Sequence, residues 1–217
     1  MALEGIPFVV AAGVLLIALG LAATMTGIGF LWGLTYAEAV LLLFIVFFFR
    51  DPDRTTPKER GVIVSAADGK VVTVKEVEFP DISAEKLIQV SVFLSIFDVH
   101  VNRIPVSGKV REVKYFPGKF MLAWKEKAST DNEQTLISID SEGKTIYLKQ
   151  IAGLVARRIS WQLDAGQSVE AGERFGLIRF GSRVDLLLPT DSRIEVKVGD
   201  KVKGGETVIG ALSHETD

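Results

Sequence analysis

The chain lacks cysteine altogether, has only two histidines, and carries a formal net charge of −2 over its 217 residues. Without cysteine there is no disulfide framework, no thiolate metal site and no cysteine nucleophile. Two histidines argue against a multi-histidine metal site, and a nearly neutral chain offers no field that would attract nucleic acid. We therefore expect no metal and no nucleic-acid partner, and any chemistry has to come from hydroxyls, carboxylates, amines and two imidazoles.

Charged side chains are almost missing from the first fifty residues, where Glu38 is the only one between residues 5 and 49. Two apolar runs, residues 6–24 and 30–49, are each about as long as the 20 residues that a helix needs to cross a bilayer. A buried helical hairpin of a soluble protein is the alternative interpretation. Glu38 is costly in lipid and is expected to face the other helix.

Basic residues appear abruptly at Arg50, directly after the second apolar run. Lysine and arginine mark the cytoplasmic flank of membrane segments. We therefore predict a membrane-anchoring transmembrane helical hairpin over residues 1–50, in the cell (inner) membrane, with the soluble domain, residues 51–217, on the cytoplasmic side. Residues 51–57, with two prolines and no apolar period, are predicted to form a linker.

Long helical periodicity is absent after residue 60, and short β-branched segments bounded by glycine, proline or aspartate predict strands instead. The predicted strands are 62–64, 70–74, 87–93, 108–113, 137–139, 145–148 and 184–188. Residues 142–144 predict a hairpin turn between two of them.

An internal repeat links two glycine-containing segments at an offset of 33 residues, and a weaker one links Gly69 to Gly108. The stronger repeat places Gly166 on Gly199, Val169 on Val202, Gly172 on Gly205 and Glu173 on Glu206. Glycines at fixed places supply the corners that β-hairpins need. The predicted fold is mainly β, a double sheet of repeats that resembles the lipoyl and biotinyl carrier fold, the barrel-sandwich hybrid.

Gly181 and Ser182 lie between the two copies of this repeat, where a carrier domain would present a lysine. A hydroxyl beside the unshielded carbonyl of glycine suits an intramolecular acyl shift, in which Ser182 Oγ attacks the Gly181 carbonyl. Elimination from the resulting ester leaves dehydroalanine, which becomes a pyruvoyl group. The serine needs a base within hydrogen-bond reach.

Four motifs in a fixed order resemble those of phosphatidylserine decarboxylase proenzymes of the short, membrane-anchored bacterial type. They are the self-cleavage motif at Phe180-Gly181-Ser182-Arg183, the aspartate turn at Ala67-Asp68-Gly69, the histidine motif at residues 98–105, and the loop at residues 117–134 that ends near Asn-Glu. Each motif is weak alone, but four in order behind a membrane anchor are specific. The resemblance covers about Asp51 to Leu212.

The resemblance implies pyruvoyl-dependent decarboxylation of phosphatidylserine to phosphatidylethanolamine and CO₂ after cleavage into residues 1–181 (beta chain) and 182–217 (alpha chain). Ser182 becomes the pyruvoyl cofactor and Gly181 is its cleavage partner. The same resemblance implies His100 as general base and Asp68 as the residue that orients it. His214 is expected to be a solvated tail residue.

Two positions depart from the family pattern: Arg183 stands where many members have threonine, and Arg103 replaces the second histidine. His100 is therefore expected to serve both cleavage and turnover. Six residues are candidates for contact with the substrate headgroup: Arg183, Arg103, Asn132, Glu133, Lys119 and Lys125. The aromatic and basic residues of 115–125 suit the lipid headgroup boundary, and an ordinary cover over the sheet is the alternative. A homodimer is expected by analogy alone.

Two other functions stay open on the sequence alone. A membrane-tethered, non-enzymatic adaptor can also contain a barrel-sandwich hybrid, although its usual coiled-coil insertion has no counterpart here. A pyruvoyl decarboxylase acting on another amino-acid-headgroup lipid or on a soluble amino acid is the second, and the two apolar helices favour a lipid substrate.

Overall fold

The computed structural model describes residues 1–118, 132–153, 159–179 and 182–213. The chain divides into two compact units, Met1–Pro52 and Asp53–Asp217. The first unit is helical, and the described part of the second is built of β-strands and connecting segments. The prediction of a mainly β protein with two N-terminal apolar helices is confirmed, and the boundary falls two residues after the predicted one.

The helical unit is a hairpin of α1 (Ile6–Thr26) and α2 (Gly29–Phe48), preceded by a single 3₁₀ turn at Leu3–Gly5. Gly27 ends α1 in the left-handed conformation (φ 67°), which glycine adopts without a steric penalty. The Ala2 amide donates to the Phe49 carbonyl at 2.8 Å, so the two ends of the hairpin lie together.

Both helices are long and apolar enough to cross a membrane. Only 11% of the apolar window of the first and none of that of the second is buried, whereas a core helix of a soluble protein would be mostly buried. Glu38 is an exception, since it is only 9% exposed. Its burial agrees with the expectation that this carboxyl group turns away from lipid.

Each of the seven predicted segments is a strand, six of them longer than predicted by one to three residues at one or both ends, and seven further short strands were not predicted. The strands are β1 (Val62–Val64), β2 (Gly69–Val77), β3 (Leu87–Leu94), β4 (Val101–Arg103), β5 (Gly108–Phe116), β6 (Gln134–Ser141), β7 (Lys144–Ile151), β8 (Ile159–Trp161), β9 (Ser168–Val169), β10 (Arg174–Ile178), β11 (Ser182–Pro189), β12 (Arg193–Ile194), β13 (Lys201–Val202) and β14 (Val208–Ala211). The predicted turn between β6 and β7 is confirmed: Glu142 and Gly143 both have positive φ, 51° and 80°.

The described strands form three antiparallel sheets. An eight-stranded sheet has the order β13-β2-β3-β11-β7-β6-β5-β9, and two three-stranded sheets have the orders β4-β10-β8 and β1-β14-β12. Neighbours in the large sheet are often far apart in sequence, as with β3 and β11. Its central strand, β11, begins at Ser182, and its position in the sheet therefore depends on long-range pairing.

The two repeats of the sequence belong to one internal symmetry. Gly199 and Gly166, with φ of 104° and 87°, occupy equivalent turns. The Gly199 amide donates to the Val71 carbonyl at 2.8 Å, and the Gly166 amide donates to the Val110 carbonyl at 2.7 Å. Each copy of the strong repeat therefore binds one copy of the weak repeat, and the glycines have a structural role.

The two faces of β11 have different surroundings. Val184, Leu186 and Leu188 point into the hydrophobic core with residues of β3 and β7. Ser182 lies two residues before Val184 and so on the same face of the strand as these core residues, whereas Arg183 and Asp185 lie on the opposite face. A charged pair inside an otherwise apolar central strand is therefore confined to one face of the sheet.

The predicted linker has no helix or strand, as expected, but its second part is bound to the β unit. The Arg54 guanidinium contacts Asp68 and Glu206, and its side chain is 8% exposed. Asp53 pairs with Arg174 at 3.0 Å. Residues from Asp53 onward therefore belong to the β unit and do not form a free spacer.

Candidate active site

Ser182, the expected nucleophile, is the first residue of β11 and pairs with Leu94, the last residue of β3. The side chain is fully buried, and its Oγ has no hydrogen-bond partner among the residues that the structure describes. A buried hydroxyl without such a partner is costly, because the desolvation of the group is not offset. Phe180 and Gly181 lie outside the described residues.

His100 lies at the same end of the sheets as Ser182. The chain leaves β3 at Leu94, opposite Ser182, and enters β4 at Val101, opposite Leu177 of β10. His100 immediately precedes Val101 and so lies beside the end of β10. The segment that carries the imidazole is therefore held at both ends against the two strands that flank the Gly181–Ser182 bond.

A compact turn fixes the segment before His100. The Asp98 carboxylate accepts hydrogen bonds from the Ser95 amide at 2.8 Å and from the Ser95 hydroxyl at 2.7 Å. The imidazole is fully buried, and its Nδ1 lies 2.9 Å from the Asp98 carbonyl oxygen. Because a carbonyl can only accept, Nδ1 donates, and in the neutral ring Nε2 is then the basic nitrogen.

Asp68 lies in a turn and binds the linker and the second repeat. Its carboxylate accepts from Arg54 at 2.7 Å and from the Gly204 amide at 2.8 Å. Burial raises the pKa of Asp68, against the lowering effects of those two donors, and the nearby Asp98 charge adds to the rise. Lys70 pairs with Phe93, so Asp68 lies at the end of β3 from which the His100 segment leaves.

Arg183 forms a buried, two-point ion pair with Asp185. Its Nε and one terminal nitrogen lie 2.6 and 2.8 Å from the two carboxylate oxygens. Gln89 donates to the same carboxylate at 3.0 Å. Lys149 is opposite Asp185 in the sheet, and burial lowers the pKa of its ammonium group despite the Asp185 charge. Arg183, a candidate headgroup ligand, is therefore already engaged by its own strand.

Arg103 occupies the place of the family's second histidine and is buried against the repeat turns. One guanidinium nitrogen donates to the Gly172 carbonyl at 2.9 Å. The Arg103 Cδ lies so close to Gly205 that a Cβ there would be 2.7 Å away. The structure thus places this expected headgroup ligand between the two copies of the repeat.

Asn132 and Glu133 lie at the start of β6, at the same end of the large sheet as Ser182. The Asn132 side chain donates to the Ala152 carbonyl at 2.7 Å, and the Ala152 amide donates to the Glu133 carbonyl at 2.9 Å. Since Ala152 follows Ile151, which pairs with Arg183, this corner is two strands from Ser182, about 10 Å at the usual strand spacing. Lys119, Lys125 and His214 lie outside the described residues.

A buried network of side-chain hydrogen bonds, which the sequence does not predict, joins residues of β6, β7 and β4 beside β11. The Thr135 hydroxyl donates to the side-chain oxygen Oε1 of Gln150 at 2.8 Å, and Nε2 of Gln150 donates to Oδ1 of Asn102 at 2.8 Å. These bonds orient Asn102, whose side-chain nitrogen is buried with no partner among the described residues. Gln150 pairs with Val184, two residues from Ser182. No local sequence signal joins the three, because they come from different strands.

Two other contributors were missed for different reasons. Arg54 was assigned to the linker, although it binds Asp68. Asp185 was included in an apolar strand, although its two-residue spacing from Arg183 indicates that both side chains lie on the same face of the strand. The alternation of charged and uncharged residues within 182–186 is the sequence signal that indicates the Arg183–Asp185 pair.

Comparison with known proteins gives consistent results over almost the whole chain. A family model described as phosphatidylserine decarboxylase matches residues 41–210. The phosphatidylserine decarboxylase proenzyme of Symbiobacterium thermophilum is 45% identical over 210 residues, which cover 96% of this chain and 94% of the relative. The proenzyme of Wolbachia pipientis wMel is 43% identical, with 97% and 94% coverage. That of Chlorobaculum tepidum is 44% identical, with 82% and 83% coverage. The family match includes Asp68, His100 and Ser182.

Proposed function

The chain belongs to the phosphatidylserine decarboxylase family, and we propose that it converts phosphatidylserine to phosphatidylethanolamine and CO₂ in phospholipid biosynthesis after cutting itself between Gly181 and Ser182. The observation that carries the proposal is the buried Ser182 hydroxyl at the first position of a central strand, without a described hydrogen-bond partner. The relatives are named proenzymes, which supports self-processing. Cleavage divides the chain into residues 1–181 and 182–217.

Self-cleavage uses groups that belong to the chain itself. Nε2 of His100 takes the proton of the Ser182 hydroxyl, and Oγ attacks the Gly181 carbonyl. The C–N bond of the peptide breaks as the ester forms, and the serine nitrogen takes up a proton. Loss of the Cα proton then expels the Gly181 carboxylate and leaves dehydroalanine at the new N-terminus. Tautomerisation and hydrolysis release ammonia and leave a pyruvoyl group.

The residues around Ser182 fit such a group. The side chain is enclosed and free of a described hydrogen bond that would have to break, and it lies beside the His100 segment. Once formed, the pyruvoyl carbonyl supplies an electron acceptor for loss of CO₂. The Asp98 carbonyl keeps a proton on Nδ1 of His100, so that Nε2 is the nitrogen that takes up a proton and, once protonated, gives it to the substrate carbon after decarboxylation. Burial keeps water from the reacting atoms.

Asp68 acts on this site from a short distance. We assign to it the stabilisation of the His100 imidazolium through charge, because strand register places Asp68 at the end of β3 from which the His100 segment leaves. Arg54 and the Gly204 amide hold the carboxylate in place. This role is electrostatic. In a catalytic triad, by contrast, the carboxylate binds the imidazole directly.

The helical hairpin keeps the enzyme in the membrane that contains its substrate. Its two apolar helices support membrane association, and the basic residues that follow support a cytoplasmic location for the β unit. We further assign the β unit to the barrel-sandwich-hybrid type, on the strength of the two repeats whose glycine turns are equivalent.

The processing test compares Ser182→Ala with Ser192→Ala, a change at a second buried serine. We expect the wild type and Ser192→Ala to give two fragments, the smaller beginning with a pyruvoyl group by mass spectrometry. Ser182→Ala stays one chain and releases no CO₂ from phosphatidylserine. An intact wild-type chain that is still active would refute self-processing. An uncut, inactive wild type would favour the adaptor.

Headgroup contacts are tested by separating processing from turnover. The candidates are Arg183, Arg103, Asn132, Glu133, Lys119 and Lys125. Removing the charge of a residue that binds the substrate phosphate raises KM about tenfold or more while cleavage stays complete, since one lost charge-assisted hydrogen bond costs about 1.5–3 kcal/mol. Removing a guanidinium with a purely structural role instead slows cleavage and lowers Tm with KM unchanged.

A further inference from the structure

Exposed apolar side chains of the β unit are concentrated at one end of the large sheet. Among the described residues from Asp53 onward, the large hydrophobic side chains classed as exposed are Ile96, Phe97, Tyr115, Phe116 and Val198. The first four, which we call the apolar rim, are 41%, 65%, 46% and 42% exposed. Scattered exposed hydrophobics are ordinary on a protein surface, whereas a cluster of them indicates a binding surface.

Strand register shows that the rim lies at the Ser182 end. Phe116 pairs with Gln134, Gln134 with Ile151, Ile151 with Arg183 and Arg183 with Phe93, which together form one row across five strands. Ile96 and Phe97 follow β3 just beyond this row. The two apolar pairs are thus separated by four strand spacings, about 19 Å along the sheet, and Ser182 begins the strand between them.

The turn that carries Ile96 and Phe97 is held in a defined conformation. The Asp98 carboxylate binds Ser95 twice, and the Asp98 amide donates to the Ser95 carbonyl at 3.0 Å. Polar bonds therefore stabilise a turn whose tip presents two large apolar side chains. The same turn leads directly into His100, whose Nδ1 binds the Asp98 carbonyl.

We propose that the apolar rim inserts into the interfacial layer of the lipid bilayer and holds the Ser182 end of the sheet against the membrane. This inference rests on the proposed function, because a phospholipid substrate must reach Ser182 from the bilayer. Aromatic side chains, tyrosine included, favour the headgroup level. The four partly exposed side chains supply only about 400 Å² of surface, less than a stable protein dimer needs on one partner.

The absence of cysteine from the chain allows a direct test of depth. Phe97→Cys and Ala84→Cys are each labelled with the fluorophore nitrobenzoxadiazole in the full-length protein, reconstituted in phosphatidylcholine vesicles. Ala84 is exposed and precedes Leu87 at the opposite end of β3, about 24 Å away at the rise of a strand. We expect a blue-shifted emission at position 97 that nitroxides on the lipid acyl chains quench, and neither effect at position 84.

Two results would overturn the proposal. Unshifted emission at position 97 without quenching, the result expected at position 84, would mean that the turn stays in water. A blue shift at position 97 without quenching by acyl-chain nitroxides would mean that a second copy of the chain or another protein covers the rim. Neither reading depends on enzyme activity, so a failure of the proposed function would be recognised separately.

A kinetic test uses the double variant Ile96→Ser, Phe97→Ser with Ala84→Ser as the control, since Ala84 is exposed at the opposite end of β3. The measured quantity is the decarboxylation rate on phosphatidylserine in vesicles divided by the rate on a short-chain, water-soluble phosphatidylserine. We expect this ratio to fall about tenfold in the double variant, equivalent to about 1.4 kcal/mol, and to stay unchanged in Ala84→Ser. If the double variant cuts itself and its ratio is unchanged, the proposed insertion of the apolar rim into the bilayer is contradicted.

Discussion

At the scale of single residues, one guanidinium serves two carboxylates. Arg54 contacts Asp68 at 2.7 Å and Glu206 at 3.0 Å. The hydrogen bond from Arg54 lowers the pKa of Glu206 at the surface, whereas burial raises the pKa of Asp68. A single positive charge cannot fully compensate both carboxylates, and the buried one bears the greater desolvation cost.

The raised pKa of Asp68 predicts that this residue makes the free energy of unfolding of the protein depend on pH. Its pKa in the folded protein lies above the ordinary value of 3.8, so the folded state binds more protons than the unfolded chain just above that pH. The contribution of Asp68 is therefore fully present below pH 3.8 and is lost as pH rises through the folded pKa. Asp68→Asn removes this titration.

The measurement is Tm in detergent at several pH values from about 4 to 7. The Ser182→Ala variant serves as the parent because it keeps the chain in one piece. We expect the Tm of the Asp68→Asn protein, relative to the parent, to increase with pH across that range, whatever constant offset the loss of the Arg54 ion pair produces. A difference that stays constant or decreases with pH would contradict a raised pKa.

Among the structural elements, the repeat turns require glycine for two separate reasons, its backbone conformation and its lack of a Cβ. Gly166 and Gly172 have nearly the same positive φ, 87° and 84°. A Cβ at Gly166 would meet nothing within 4 Å, whereas one at Gly172 would overlap the Thr56 side chain. The first glycine is therefore needed for its backbone conformation alone, and the second also for the close packing of the segment after α2.

The pair predicts two different losses of stability. Gly166→Ala should cost about 1–2 kcal/mol, the penalty of a left-handed conformation for a residue with a Cβ. Gly172→Ala should cost about 1–3 kcal/mol more, because overpacking adds to the same backbone term. Thermal unfolding of both variants in the Ser182→Ala background measures the difference. Equal losses would mean that the contact with Thr56 relaxes without cost.

At the scale of the whole molecule, the chain joins a membrane hairpin to a β unit that has its own core. The units divide at Pro52 and Asp53, and the core cluster draws its members from residue 63 onward. The core cluster of the β unit therefore contains no residue of the hairpin, and we expect this unit to fold and to cut itself without the hairpin. We expect the hairpin to raise the local concentration of the enzyme at the membrane surface.

Removal of residues 1–52 is expected to leave self-cleavage intact and to reduce activity selectively. Decarboxylation of phosphatidylserine in vesicles should fall by about 10²-fold or more, the usual scale of an effective-concentration effect. The rate on a short-chain, soluble phosphatidylserine should change little. Both rates come from CO₂ release, with fragment formation as the control. An equal fall on both substrates would mean that the hairpin contributes to the catalytic unit itself.

Features that depend only on neighbouring residues are specified within short windows of the sequence. Apolar runs of membrane-spanning length, alternating strand segments, the turn at Glu142 and Gly143, and the repeat of glycines all follow from local composition and spacing. The same holds for the family motifs at Asp68, His100 and Ser182, because each is a short contiguous pattern.

Which of these local features meet depends on pairing between strands that are far apart in the sequence. The pairing of β11 with β3 joins residues about ninety positions apart and brings the end of β10, the His100 turn and Ser182 together. The Asn102 network and the apolar rim depend on similar long-range register. A hydrogen bond or a buried charge is specified by two distant positions at once, and no window of the sequence contains both.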